Sequence, residues 1–302
     1  MCNLNNIIIM KKIFVLISAA LLSCCIAVAQ DMETATNLAK EANEALMGGD
    51  FKAAIEKFKA AVEAVGDSAE ESAAELVASC KTGQVQAQNA YSQSLYKSGN
   101  LEGAISEAEA TIALASEYGE DEIKEKAEKF KTQLHQAIAG AKIKAASAEK
   151  DPAAKGAAYK AALDHLDSVL ASEPENGNAF LQKGQVFNAL GQKDNAIEAF
   201  LKAKEFGKAD QANKQLSNLY LKSAQALNKA GKFKEAVAEA LKSAEALPNA
   251  NAYKIAGIAS QKAGDIASAA AYLEKYLEIS PNAADAPQMK AAVDAFKAQL
   301  KK

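Results

Sequence analysis

One five-residue spacing constrains this chain more than anything else in it. A glycine is followed five positions later by an alanine and then by an aliphatic or small residue. The pattern occurs at Gly49/Ala54/Ile55, Gly99/Ala104/Ile105, Gly191/Ala196/Ile197, Gly231/Ala236/Val237 and Gly264/Ala269/Ala270. Its clearest copy lies between Gly177 and Gly207. There Phe180, Gly184, Phe187 and Leu190 recur four, three and three apart. Beyond a Gly-Gln-Lys-Asp turn at Gly191 to Asp194, Ala196, Ile197, Phe200 and Ala203 continue at helical spacing. The pattern predicts two antiparallel helices. Small Gly184, Ala196 and Ala203 let them approach closely, and Phe187 and Phe200 fill the space beside them. One such hairpin cannot bury its apolar faces alone, so it needs stacked neighbours.

The neighbours recur at a fixed period. The interval from Ala236 to Ala269 equals that from Pro248 to Pro281. With Gly184, Ala224 and Gly257 in the first helices, and Pro174, Pro248 and Pro281 closing second helices, the chain resembles the tetratricopeptide repeat family, whose period of about 34 residues this interval nearly matches. The resemblance covers Gly177 to Pro281 and extends to Ala35–Gly66; the stretch from Ser68 to Glu173 departs from it. The family's large aromatic early in the first helix is reduced here to Leu38, Phe180, Tyr220 and Tyr253, and the chain has no Trp. The resemblance implies an all-α fold, an α-α superhelix (solenoid) of antiparallel helix pairs.

Composition agrees. The 302 residues are 49% hydrophobic but only 6% aromatic, which points to packing by alanine and leucine. The 35 basic residues face 38 acidic ones, interspersed along helices, so no clustered basic face exists for nucleic acid. Every basic residue of that count is a lysine, which excludes bidentate guanidinium recognition.

The N-terminus reads as a leader over residues 1–29. Lys11 and Lys12 form a positive segment, Ile13 to Leu22 an apolar one, and Ala27-Val28-Ala29 a cleavage site before Gln30. Met10 directly precedes the lysines, so residues 1–9 belong to an alternative start. A second reading takes Leu21-Leu22-Ser23-Cys24 as a lipoprotein box with Cys24 lipidated, although Cys25-Ile26-Ala27-Val28 stays apolar beyond it. Either reading predicts export, to the periplasm or to an outer-membrane lipoprotein location. Cleavage after Ala29 leaves Cys80 alone, so no internal disulfide is expected, and its place on an apolar helical face predicts a small buried hydrophobe.

The mature chain divides into four stretches. Residues 30–118 hold two hairpins turning at Gly48-Gly49-Asp50 and Ser98-Gly99-Asn100, with Asp50 as a helix cap and Asp67 and Ser68 as caps for a long third helix. Residues 119–176 form a long-helix, degenerate repeat region, broken at Asp151-Pro152. Residues 177–284 hold three regular units, Gly177 to Lys208, Ser217 to Pro248 and Ala250 to Pro281. Residues 285–302 set Met289, Val293, Phe296 and Leu300 on one face of a capping helix.

Catalytic constellations are absent from this pattern. His135 and His165 lack metal-ligand spacing, Asp164-His165-Asp167 diverges around a helix, and no phosphate-binding loop or nucleophile elbow occurs. No enzymatic activity, cofactor, metal or small-molecule substrate is therefore expected.

One polar constellation stands out. Asn178, Asn218 and Asn251 share a register, read as the second residue of each first helix, and Asn188, Asn228 and Gln261 follow at one common interval. Gln185 and Gln225 lie between them, with Lys222, Lys229, Lys254 and Lys262 adjacent; Gln86, Asn89, Gln93 and Tyr96 form a similar row. Carboxamides offer both donors and an acceptor to a peptide backbone. In the family that this chain resembles, such a stripe lines the concave groove that binds extended peptides. Solvation of an exposed face, or capping by Asn178 and Asn218, accounts for the same residues more simply. The expected function is an exported, non-catalytic scaffold binding a protein or peptide partner in the cell envelope through that groove. The alternatives are a structural subunit of an outer-membrane or surface assembly docking by its convex face, and an enzyme with an unrecognised site.

Overall fold

The computed structural model describes residues 31–66 and 70–301. The expected leader and the expected caps Asp67 and Ser68 lie outside the described residues. Among the described residues the regular structure is entirely helical. In order come α1 (31–48), α2 (Phe51–Val65), α3 (Glu71–Lys97), α4 (Leu101–Tyr118), α5 (Asp121–Ala148), α6 (Pro152–Ser172) and α7 (Gly177–Ala189). Then follow α8 (Lys193–Ala203), α9 (Ala209–Lys229), α10 (Phe233–Ala246), α11 (Ala250–Lys262), α12 (Ile266–Ile279) and α13 (Ala286–Leu300). None of them is long and apolar enough to cross a membrane. The chain separates into two compact units, Met1–His135 and Gln136–Lys302, a division that falls inside α5.

The glycine–alanine spacing has a direct physical cause. Gly49, Gly99, Gly191, Gly231 and Gly264 all sit at φ between 73° and 86°, the left-handed region that only glycine enters without strain. The next residue (Asp50, Asn100, Gln192, Lys232 or Asp265) donates its N–H to the carbonyl five residues back at 2.9–3.0 Å, closing the first helix in a Schellman turn. The carbonyl of that same residue accepts the N–H of the alanine four positions on, at 2.9–3.0 Å, opening the second helix. One residue thus ends one helix and starts the next, which fixes the alanine in the first turn. Ala54, Ala104, Ala196, Ala236 and Ala269 are all 0% exposed. Gly119, at φ 76°, makes the same turn between α4 and α5, with Glu120 donating to Ala115, but no alanine follows at the matching position.

In the first unit, Phe58 of α2 is buried with Ala39 and Ala42 of α1 and Cys80 and Ala87 of α3. A Cβ on Gly83 would meet the Phe58 ring at 2.6 Å, so α3 can lie over it only with glycine there. The α3–α4 seam is more polar. Buried Gln88 donates to Glu107, Tyr118 donates to Gln84 at 3.2 Å, and buried Ser92 donates to the Ala104 carbonyl at 2.7 Å. Burial raises the Cys80 thiol above its ordinary pKa, in keeping with a packed, inert side chain.

In the second unit, α7/α8, α9/α10 and α11/α12 form three pairs, and each later first helix also packs on the preceding second helix. Gly184 accepts the ring of Phe200, and Gly257 accepts Leu273; an added Cβ would come within 2.5 Å and 2.7 Å of them. The second pair is longer than the expected unit, because the interval from Gly191 to Gly231 exceeds that from Gly231 to Gly264. The surplus sits at the start of α9, which begins at Ala209 rather than Ser217. It amounts to about two helical turns, so the insertion lengthens α9 while keeping its faces in register. The extra turns bury Ala212 and Leu216 against Ala196, Phe200 and Ala203. The reversal into α9 is made by Phe206 (φ −94°, ψ 42°) and Gly207 (φ 81°), and the Phe206 ring stacks on Phe180 at 5.6 Å.

The terminal helix α13 packs Val293, Phe296 and Met289 on Leu273 and Leu277, as its spacing predicts. Leu300, expected on that same face, is 54% exposed, because it is the last residue of α13 and lies beyond that cluster.

Candidate functional site

The second unit carries the predicted polar stripe on its first helices. Asn178 and Gln185 of α7, Asn218, Lys222, Gln225 and Lys229 of α9, and Asn251 and Gln261 of α11 are exposed. Asn188 and Asn228 near the helix ends are half-buried, and the Asn228 Oδ1 is shielded from solvent without a hydrogen-bond partner. In the first unit, Gln86, Gln93 and Tyr96 are exposed on α3 and Asn89 is half-buried; Tyr96 meets Phe130 edge-on at 5.7 Å.

Three details of the stripe differ from the sequence expectation. Asn218 lies in the middle of α9 rather than at its second residue, because the inserted turns precede it. Asn178 and Asn251 are second residues, yet neither caps its helix. The caps are Asn176, accepting from the Ala179 N–H at 2.9 Å, and Asn249, accepting from the Ala252 N–H at 2.8 Å. Lys254 is occupied within the chain: it pairs with Asp285 and lies 5.6 Å from the Tyr276 ring centre. Hydrogen bonds from Lys254 and Tyr276 hold the Asp285 carboxyl below its ordinary pKa.

These helix pairs also carry a regularity that the sequence pattern does not flag by residue type alone. Lys202 lies over Phe180, Lys242 over Tyr220 and Lys275 over Tyr253, at 5.3, 5.6 and 5.3 Å from the ring centres. In each case the aromatic and the lysine stand at equal intervals before and after the turn glycine: Phe180/Gly191/Lys202, Tyr220/Gly231/Lys242 and Tyr253/Gly264/Lys275. That symmetric placement, three times over, is the signal by which the sequence could have revealed it. Each contact stabilises the pairing of first and second helix by ~0.5–1 kcal/mol.

The middle pair adds a clamp. Glu239 of α10, 9% exposed, binds Lys193 of α8 and takes a 3.1 Å hydrogen bond from Lys242; Lys193 also donates to Ser223 of α9 at 2.8 Å. Burial pushes the Glu239 carboxyl up, but the hydrogen bonds from Lys193, Ser223 and Lys242 outweigh it and leave the pKa lowered. A buried hydroxyl cluster lies in the same pair. Ser243 donates to the Ser217 carbonyl at 2.8 Å, and Asn249 Nδ2 donates to Ser217 Oγ at 3.1 Å, tying α9, α10 and the start of α11 together. Asp167, from the Asp164-His165-Asp167 group, pairs with Lys183 of α7. Among the described residues no group of three or more His, Cys, Asp or Glu could hold a metal.

Stacked helix pairs, joined by one repeated turn and carrying one repeated polar stripe, define a helical-repeat scaffold. The chain carries tetratricopeptide repeats: that family's profile matches residues 153–213 and 221–284. No curated protein matches the chain. Solved structures that it resembles include YrrB, described as a tetratricopeptide repeat protein with an unusual peptide-binding site (20% identity, 68% of this chain and 91% of that one, TM-score 0.31). Another is the TPR2AB domain of yeast Sti1 in complex with pHSP90 (20% identity, 88% and 99%, TM-score 0.27). A third is a tetratricopeptide repeat protein from Parabacteroides merdae (16% identity, 88% and 99%, TM-score 0.24).

Proposed function

We propose that this protein is a non-catalytic interaction scaffold that is exported to the cell envelope and holds an extended segment of a protein partner along the carboxamide stripe. The observation that carries the reading is the exposure of Asn178, Gln185, Asn218, Gln225, Asn251 and Gln261 on successive first helices, with neither Asn178 nor Asn251 consumed as a helix cap. Exposed carboxamides at a regular interval suit a ligand with a regular backbone, since each can donate to a carbonyl and accept from an N–H. Lys222 and Lys229, also exposed, add attraction for carboxylates. The tetratricopeptide repeats of the chain are in keeping with this class of function. Export is supported by the basic, apolar and small-residue segments that end at Ala29.

The test is partner capture in envelope extracts by the wild type and by a variant with Asn188, Asn228 and Lys222 all replaced by alanine. Capture should fall about tenfold or more, a loss of at least ~1.4 kcal/mol, with unchanged helical circular dichroism. Unchanged capture would transfer the function to the outer face of the second helices. Mass spectrometry of the mature N-terminus decides between Gln30 and a lipidated Cys24.

A further inference from the structure

Each first helix of the second unit has its own second helix beside it: α8 for α7, α10 for α9 and α12 for α11. The helix α13 packs on α12 as α11 packs on α10, yet among the described residues no further helix packs on α13. The interval that carries Pro248 to Pro281 also carries Tyr253 to Ala286 and Gly257 to Lys290. Tyr253 and Gly257 are where α11 meets its own second helix, through Lys275 and Leu273. Ala286 and Lys290 therefore mark the face of α13 on which a second helix would lie. That face is open. It forms one wall of a groove of about 620 Å³ between α12 and α13, whose apolar lining is Leu277, Pro281, Ala286, Pro287 and Val293.

Charge decides what fits this groove. Where α11 offers Gly257 to Leu273, α13 offers Lys290, so a neighbour cannot reach the backbone there and must instead bring a carboxylate. The middle pair already uses that solution, with Glu239 between Lys193 and Lys242. Glu278, Lys290 and Asp294 line the groove, and like Lys301 at the far end of α13 they form no ion pair among the described residues; Glu274 is taken by Lys297. Lys290 and Asp294 stand one turn apart on one face, so they complement a copy of themselves running the other way. We propose that α13 of a second copy of this chain closes the groove, antiparallel to the first about a two-fold axis between Lys290 and Asp294. Lys290 of each copy then meets Asp294 of the other. The same register lays Leu300, 54% exposed, and Lys301 over residues 283–284 of the other copy, beside its Pro281, Pro287 and unpaired Glu278. Leu300 lies about 20 Å along α13 from Pro287, too far to cover the proline walls of its own chain. Other registers fail on charge. An axis through Lys290 or Asp294 sets like charges together, and one between Asp294 and Lys297 sets Lys290 against Lys301. The groove contains no residue of the carboxamide stripe, so the assignment stands or falls independently of it.

The experiment is sedimentation velocity on the mature protein over a concentration series, in the wild type, Lys290→Asp, Asp294→Lys and the double variant carrying both changes. One helix pair covers less than the ~1,200–2,000 Å² of stable complexes, so a reversible dimer with a Kd on the order of 10–100 µM is expected. Each single variant sets like charges across the axis and should weaken dimerisation at least tenfold, with unchanged helical circular dichroism. The double variant restores opposite charges at both contacts and should return to within about threefold of the wild-type Kd. A wild type that stays monomeric at about 500 µM, single variants that dimerise as the wild type does, or a double variant no better than the singles would each overturn the proposal.

Discussion

The first and third pairs of the second unit solve their helix crossing one way and the middle pair another. Where the first helix has glycine (Gly184, Gly257), the second helix supplies a large residue, Phe200 or Leu273, that reaches the backbone. Where the first helix has Ala224, the second supplies Ala240, and the two sit in one cluster with Ala256. The outer crossings thus fit one large side chain against bare backbone, whereas the middle one brings two methyl groups together. The middle pair has less apolar surface at its crossing, and it is the pair that carries the Glu239 clamp and the Ser217–Ser243–Asn249 cluster. Apolar interlock and polar interlock are alternative ways of fixing one geometry.

The largest expected effect breaks the apolar solution. Phe200→Ala removes a ring that is 0% exposed and should cost ~3–5 kcal/mol of unfolding free energy in urea titrations. Next, Gly184→Ala places a methyl 2.5 Å from that ring and should cost ~1–3 kcal/mol from overpacking. In the Phe200→Ala background the same change should be neutral or stabilising, by up to ~1 kcal/mol from helix propensity. That double-mutant cycle converts the first crossing into the Ala224/Ala240 type.

Glu239→Gln should cost ~1–2 kcal/mol, since its lysine partners remain partly solvated. The sign of its pH dependence follows from the lowered folded pKa: the stabilisation is present at neutral pH. It fades as pH falls below the ordinary glutamate value of about 4.3 and through the lower folded value. The Glu239→Gln variant should lose this component of the acid slope, while its offset from the wild type stays constant above about pH 6. The smallest effect, ~0.5–1 kcal/mol, is expected for Lys275→Met, which removes the cation over Tyr253 but keeps most of its stem.

Much of this architecture can be read from the chain because glycine and alanine are constrained by local geometry. A left-handed turn needs glycine, and a helix crossing needs a small residue, so Gly191 and Ala196 announce their roles without help. The long third and fifth helices are legible for the same reason, through Asn100 and Asp151-Pro152 at their neighbours' starts. Other features depend on partners distant in sequence. Glu239 looks like any solvated glutamate until Lys193, from another helix pair, is folded beside it. The true start of α9 is hidden because Phe206-Gly207 reverses the chain without a proline. Periodicity identifies the stripe residues, but it counts Lys254 as available because nothing in α11 points to Asp285, beyond the whole of α12.

The functional claim is that the carboxamide-bearing face of the first helices, and not the outer face of the second, holds the partner. A photo-crosslinking amino acid placed at Gln225 and, separately, at exposed Ala238 of α10 samples the two faces within one pair. A partner adduct from Gln225 that is lost with Asn218→Ala and Asn228→Ala, with none from Ala238, is the result predicted here. Adducts from Ala238 alone, or equally from both positions, would contradict it.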